Sequence, residues 1–80
     1  MGHPRQKPQH LAAKLLGIRQ KLKLSQPKLV KALAVDISYH RISEFEKGIR
    51  EPNLITLLRY ARLAGVSTDD LIDDDVQLNF

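Results

Sequence analysis

The run from residue 25 to residue 52, SQPKLVKALAVDISYHRISEFEKGIREP, restricts the fold more than any other feature, because it sets two helix starts, two apolar stripes and a glycine stop in close succession. Ser25 has the hydroxyl of an N-cap, able to accept from an amide of the following turn, and Pro27 falls where first-turn amides have no helical partner. The spacing predicts a short helix from about Gln26 to Leu33. Leu29 and Leu33, four apart, share one face, while Lys28 and Lys31 fall elsewhere and stay in water. After a connector from Ala34 to Ile37, Ser38 can cap a further helix of about Ser38 to Lys47, in which Ile42 and Phe45, three apart, bury one side. Gly48 supplies a left-handed stop. The outer side of that helix then carries Tyr39, His40, Arg41, Ser43 and Glu44, a set of donors and acceptors with an aromatic ring that suits the edges of nucleic-acid bases.

The same signals recur on both sides of this run. Leu11, Leu15, Ile18 and Leu22 recur at spacings of four, three and four, which marks an amphipathic first helix from about Gln9 to Lys23, slightly weakened by Gly17. Asn53, behind Pro52, caps a fourth helix whose buried side is expected from Leu54, Leu57, Leu58, Ala61 and Leu63 or Ala64, with Gly65 as its end. Ser67, with Asp70 three residues on and Val66 and Leu71 placed as a hydrophobic staple, starts a fifth. Asp69 and Asp70 also suit the positive end of that helix. The pattern predicts an all-α, compact bundle of about five short helices. One domain spans residues 10–73, between a basic arm at 1–9 and an acidic, partly apolar tail at 74–80. The arm, with Arg5, Lys7 and two prolines, either follows phosphates or a minor groove or is an untethered tail. In the tail, Val76 to Phe80 alternates apolar and polar residues; it is either disordered, or Leu78 and Phe80 pack on the domain or on a second copy.

Eighty residues leave room for a small helical core rather than a catalytic cleft. No cysteine is present, which removes disulfides and thiolate metal sites, and no apolar run reaches the roughly 20 residues that span a bilayer. The N-terminus lacks the apolar segment of a secretory signal, so a soluble, cytoplasmic protein is expected. The net charge of +4 is unevenly laid out. No acid precedes Asp36, whereas Asp69, Asp70, Asp73, Asp74 and Asp75 crowd a C-terminal stretch with no lysine or arginine after Arg62. Such asymmetry turns one side toward a polyanion and gives the other a repulsive face. An enzyme is not expected. His3, His10 and His40 lack metal-ligand spacing, the serines and several aspartates are used as caps, and no glycine loop cradles a phosphate. Three consecutive aspartates, Asp73 to Asp75, lack the spaced, glycine-turned pattern of a calcium loop, so neither metal nor cofactor is expected.

Over about Leu11 to Ile72, the ordered pieces SQxxL, IS, ExEKGIREP and LLRYARLAGVSTDDL resemble the helix-turn-helix domain of phage Cro and lambda-repressor-like (Xre-type) regulators. Two departures stand out. Ala34 occupies a position that is usually glycine in that family, and the path from Leu33 to Ile42 is about two residues longer, the extra residues falling near Asp36 and Ile37. The resemblance implies that the third helix lies in the major groove while the second braces on the backbone. Tyr39, His40 and Glu44, with Arg41 and Ser43 beside them, then match base-reading positions. Gln26 matches a phosphate contact at a helix start, and Lys28, Lys47 and Arg50 are the other phosphate candidates. Arg19 and Glu46 match a structural ion pair between the first helix and the end of the third. One such helix reads few base pairs, so the resemblance implies a homodimer on a pseudo-palindromic operator in double-stranded DNA. The implied function is a sequence-specific transcriptional regulator, a repressor where it occludes a promoter, associated with the nucleoid. The alternative is a helix-turn-helix antitoxin or interaction module acting through a protein partner.

Overall fold

The computed structural model describes residues 8–78 and contains five helices: α1 (Leu11–Leu22), α2 (Gln26–Leu33), α3 (Tyr39–Glu46), α4 (Leu54–Ala64) and α5 (Thr68–Ile72). No strand occurs among the described residues, and the fold is all-α. Each start after the first is capped as the local sequence dictates. Ser25 accepts from Lys28 N, Ser38 from His40 N, Asn53 from Thr56 N at 2.8 Å, and Ser67 forms a capping box with Asp70. The stops are left-handed residues: Lys23 after α1, Ala34 after α2, Gly65 after α4. Ala34 has φ 55°, the conformation that glycine adopts without steric cost, and its N–H donates to the carbonyls of Val30 and Lys31. The longer connector is therefore absorbed between Ala34 and Ser38, and Ser38 keeps its place as the cap of α3.

The core is one cluster. Leu15 and Ile18 of α1, Leu29 and Leu33 of α2, Ile42 and Phe45 of α3, Leu57, Tyr60 and Ala61 of α4, and Leu71 of α5 are all buried in it. Each fully buried Leu or Ile contributes on the order of 1.5–3 kcal/mol by leaving water. α2 and α3 pack on each other and on α4 and α1, whereas α5 packs on α4 and α1. The acid-rich fifth helix thus sits away from the α2–α3 pair.

The apolar periodicity misplaced part of α4. Leu54 is 79% and Ile55 60% exposed, and Leu58 is only half-buried, while Thr56 and Tyr60 are buried instead. Leu54 opens the helix, beyond the edge of the bundle, so its correct phase buries nothing. Leu22, at the far end of α1, overhangs in the same way and is also exposed.

α1 starts two residues later than its sequence suggests, and its start is capped from far along the chain. Its N-cap, His10, makes no side-chain cap; instead the Asp74 carboxylate accepts from the backbone N–H of Gln9 (2.9 Å) and of His10 (3.1 Å). One turn on, the buried Lys14 donates from Nζ to the carbonyls of Asp70 (2.8 Å) and Asp73 (2.7 Å), closing the end of α5. The two contacts clasp α1 to the segment after α5. Leu78 also packs on the core, so residues assigned to a tail lie against the body; Phe80 and the arm residues 1–7 fall outside the described residues.

Candidate nucleic-acid interface

Helix α3 turns 100° per residue, so with Ile42 and Phe45 in the core the opposite line is His40, Ser43, Glu44 and Lys47, and Tyr39 and Arg41 stand on its two flanks. His40 and Lys47 are exposed, Ser43 and Glu44 partly so. Tyr39 and His40 keep their rings 4.1 Å apart at 33°. All five side chains named for base reading thus belong to one helix whose inner side is fixed by core packing.

The flanks carry the other candidates. On the Tyr39 side, Arg19 holds Glu46 with Nε 2.6 Å from Oε2 and Nη2 3.0 Å from Oε1, and a third donor, Nη1, reaches the carbonyl of Leu24 at 3.0 Å. The hydrogen bond to Glu46 raises the Arg19 pKa against an opposing cost of burial, so the guanidinium stays charged. Gln26, at the start of α2, donates from its amide nitrogen to Glu46 Oε1 at 3.3 Å. This joins the first turn of α2 to the last turn of α3, with the exposed Lys28 and Lys47 nearby in sequence. Behind the pair, Tyr60 is fully buried; loss of water and the neighbouring Glu46 charge push its phenol pKa up, so it stays neutral.

On the Arg41 side, the chain leaves α3 through a tight turn. Gly48 takes φ 74°, and the N–H groups of Ile49 and Arg50 both return to the carbonyl of Glu44, at 3.0 and 3.4 Å. Arg50 is thereby brought against α3, its Nε 3.4 Å from Glu44 Oε1, and Arg41 Nε lies 3.6 Å from the same oxygen. The spacing of Glu44, Arg41 and Arg50 carried the signal for this trio, an i, i+3 pair plus a residue past a glycine turn, but the sequence reading treated them separately. Lys14 was missed as well, although its place three residues after Leu11 and one before Leu15 set it on the apolar face.

The helix α3 therefore presents a polar line with a cation or an amide on either side, Gln26 on one, Arg41 and Arg50 on the other. Among the described residues no group of three His, Asp or Glu side chains gathers to hold a metal, and no helix is long and apolar enough to cross a membrane.

Comparison with known proteins points the same way. The helix-turn-helix family profile matches residues 15–71. No curated protein matches the chain by sequence. Among solved structures, the P22 c2 repressor protein, in complex with synthetic operator 9T in the presence of Tl+, is similar: it is 31% identical, the match covers 89% of this chain and 100% of that one, and the TM-score is 0.71. With most of its length inside the family profile and its helices arranged as in that repressor, the chain belongs to the helix-turn-helix family of phage Cro and lambda-repressor-like DNA-binding regulators.

Proposed function

We propose that the chain is a sequence-specific regulator of transcription that lays α3 in the major groove of double-stranded DNA and represses by occupying a promoter as a homodimer. The observation that carries this reading is the layout around α3. A polar line of His40, Ser43, Glu44 and Lys47 is bordered on both sides by phosphate-capable groups, as a helix lying between two phosphate backbones requires. The P22 c2 repressor, similar over its whole solved chain, was solved on an operator. Gln26, Lys28, Lys47 and Arg50 are assigned to phosphate, and Tyr39, His40, Ser43 and Glu44 to the base edges, with Arg41, on the flank of α3, within the base-reading set and able to reach the backbone as well. Glu44 suits a cytosine amino group and His40 a guanine acceptor.

Dimerisation is supported by an apolar group left in water. Leu54, Ile55 and Ile72 are 79%, 60% and 42% exposed, and Leu54 and Ile72 line one hollow with Pro52 and Leu57. The adjoining hollow, which shares Glu51 and Asn53 with it, is lined by Ser38, Arg41 and Arg50. Two copies meeting there would bring their third helices to one side of the DNA. The same apolar group would also suit a protein partner, the alternative reading.

Selection of bound duplexes from random sequence, at two salt concentrations and with Arg50→Ala beside the native chain, tests the proposal. An enriched palindrome is expected, with Arg50→Ala binding more weakly to all sequences and with a salt slope shallower by about one. Absence of any enriched sequence would transfer the function to a protein partner.

A further inference from the structure

On the exposed side of α3, two arginines face a single carboxylate oxygen. Glu44 Oε1 stands 3.4 Å from Arg50 Nε and 3.6 Å from Arg41 Nε, and all three side chains are more than a third exposed. Exposed pairs are individually weak. This pairing is favoured by the backbone, because the turn that carries Arg50 is itself bonded to the Glu44 carbonyl, so little chain entropy is spent in bringing the guanidinium to the carboxylate. Asp36 and Glu51 line the same hollow as the two arginines, so the charges there are balanced.

We propose that Glu44 is an internal competitor for phosphate: in the free chain it occupies Arg41 and Arg50, and it gives them up only on DNA whose base edges supply the carboxylate with another donor. The inference rests on the DNA-binding reading above and deepens it. An ionised carboxylate only accepts hydrogen bonds, and guanidinium only donates them, so Glu44 and a phosphate oxygen compete for the same N–H groups. On an arbitrary duplex the two arginines reach phosphate only by leaving Glu44 unpaired beside a polyanion. On a site that sets a cytosine amino group against Glu44, the carboxylate changes partner and both arginines are released to the backbone. Sequence choice is thereby converted into phosphate affinity, and arbitrary DNA is penalised twice, by withheld cations and by repulsion.

The test compares the native chain, Glu44→Gln and Glu44→Gln/Arg50→Gln, each titrated onto a random-sequence duplex and onto the selected operator over a series of salt concentrations. Glutamine keeps the size of the side chain and removes its charge. Glu44→Gln is expected to bind the random duplex about threefold to tenfold more tightly at low salt, with a salt slope steeper by about one to two, since each phosphate newly engaged adds about 0.9 to the slope. The operator-to-random ratio should fall. Adding Arg50→Gln should take about one unit of slope back, because one phosphate contact is lost again. A tighter complex with an unchanged slope, or weaker binding to the random duplex, would overturn the inference, the latter making Glu44 a positioning residue for the arginines. If the native chain selects a sequence but Glu44→Gln leaves slope and ratio unchanged, this inference alone fails. If the native chain shows neither sequence preference nor salt-dependent binding, the DNA-binding reading fails with it.

Discussion

Single residues decide how tightly the α2–α3 corner is held. Ala34 stands where the family usually has glycine, and its φ of 55° is the glycine conformation. A left-handed alanine costs roughly 1–2 kcal/mol; glycine removes that cost but loses part of the gain because its unfolded chain is freer. Ala34→Gly is therefore expected to stabilise the domain by about 0.5–1 kcal/mol in urea unfolding; a loss of stability would mean that the connector, two residues longer than usual, compensates alanine in a way the backbone geometry does not reveal. Arg19 and Glu46 were equally legible, through the resemblance and not through spacing, because nothing in a sequence brings residues 27 apart to 2.6 Å. With Glu46 only 6% and Arg19 21% exposed at the side chain, Arg19→Ala strands a carboxylate that keeps Gln26 as a donor. The expected loss is about 2–3 kcal/mol, at the lower end for a largely buried pair because Arg19 retains some solvent. DNA affinity per folded molecule should change little. Affinity lost at an unchanged melting temperature would instead make Arg19 part of the interface.

Helices show where sequence reading stops. The four caps at Ser25, Ser38, Asn53 and Ser67 were legible because a cap and its amide lie within three residues of each other, and the structure places a side-chain cap at each. The start of α1 was not, because its cap, Asp74, comes from 65 residues away, and local rules had allotted Asp74 to a tail. The phase of α4 was legible but its ends were not: periodicity tells which face a residue is on, and the bundle's edge tells whether anything covers it. The clasp has a pH signature. The backbone N–H of Gln9, and then that of His10, hold the Asp74 carboxyl below its ordinary value of 3.8, so the group is more acidic folded than unfolded. Its contribution is then complete above the unfolded value and is lost as pH falls from there through the lowered folded value. Asp74→Asn should melt at a lower temperature than the native chain near neutrality, with the difference shrinking as both are taken below about pH 4. A difference that stays constant into acid would show that shape, not charge, holds the clasp.

At the scale of the molecule, the domain is polarised along two axes. One separates α2 and α3, which carry the basic and polar side chains, from α5, which carries the acids and packs only on α1 and α4 among its principal neighbours. That axis was legible from charge order alone, since chain order and spatial order agree here. The other axis was not: the exposed apolar group at Leu54, Ile55 and Ile72 joins residues from two helices, and the sequence assigned Leu54 to the core. If this group is the seam between two copies, a charge on it should separate them without unfolding either. Ile55 is the position to alter, because at 60% exposure it contributes little to its own domain. Ile55→Asp is expected to melt as the native chain does and to sediment as a monomer where the native chain pairs. It should bind a single half-site normally while losing about tenfold or more on the two-half-site operator, where the second domain no longer arrives tethered to the first. The half-site arm makes the result decisive. Equal losses on one and two half-sites would place Ile55 against DNA, and an unchanged operator affinity with an unchanged sedimenting mass would remove the apolar group from the dimer and leave it to a protein of another kind.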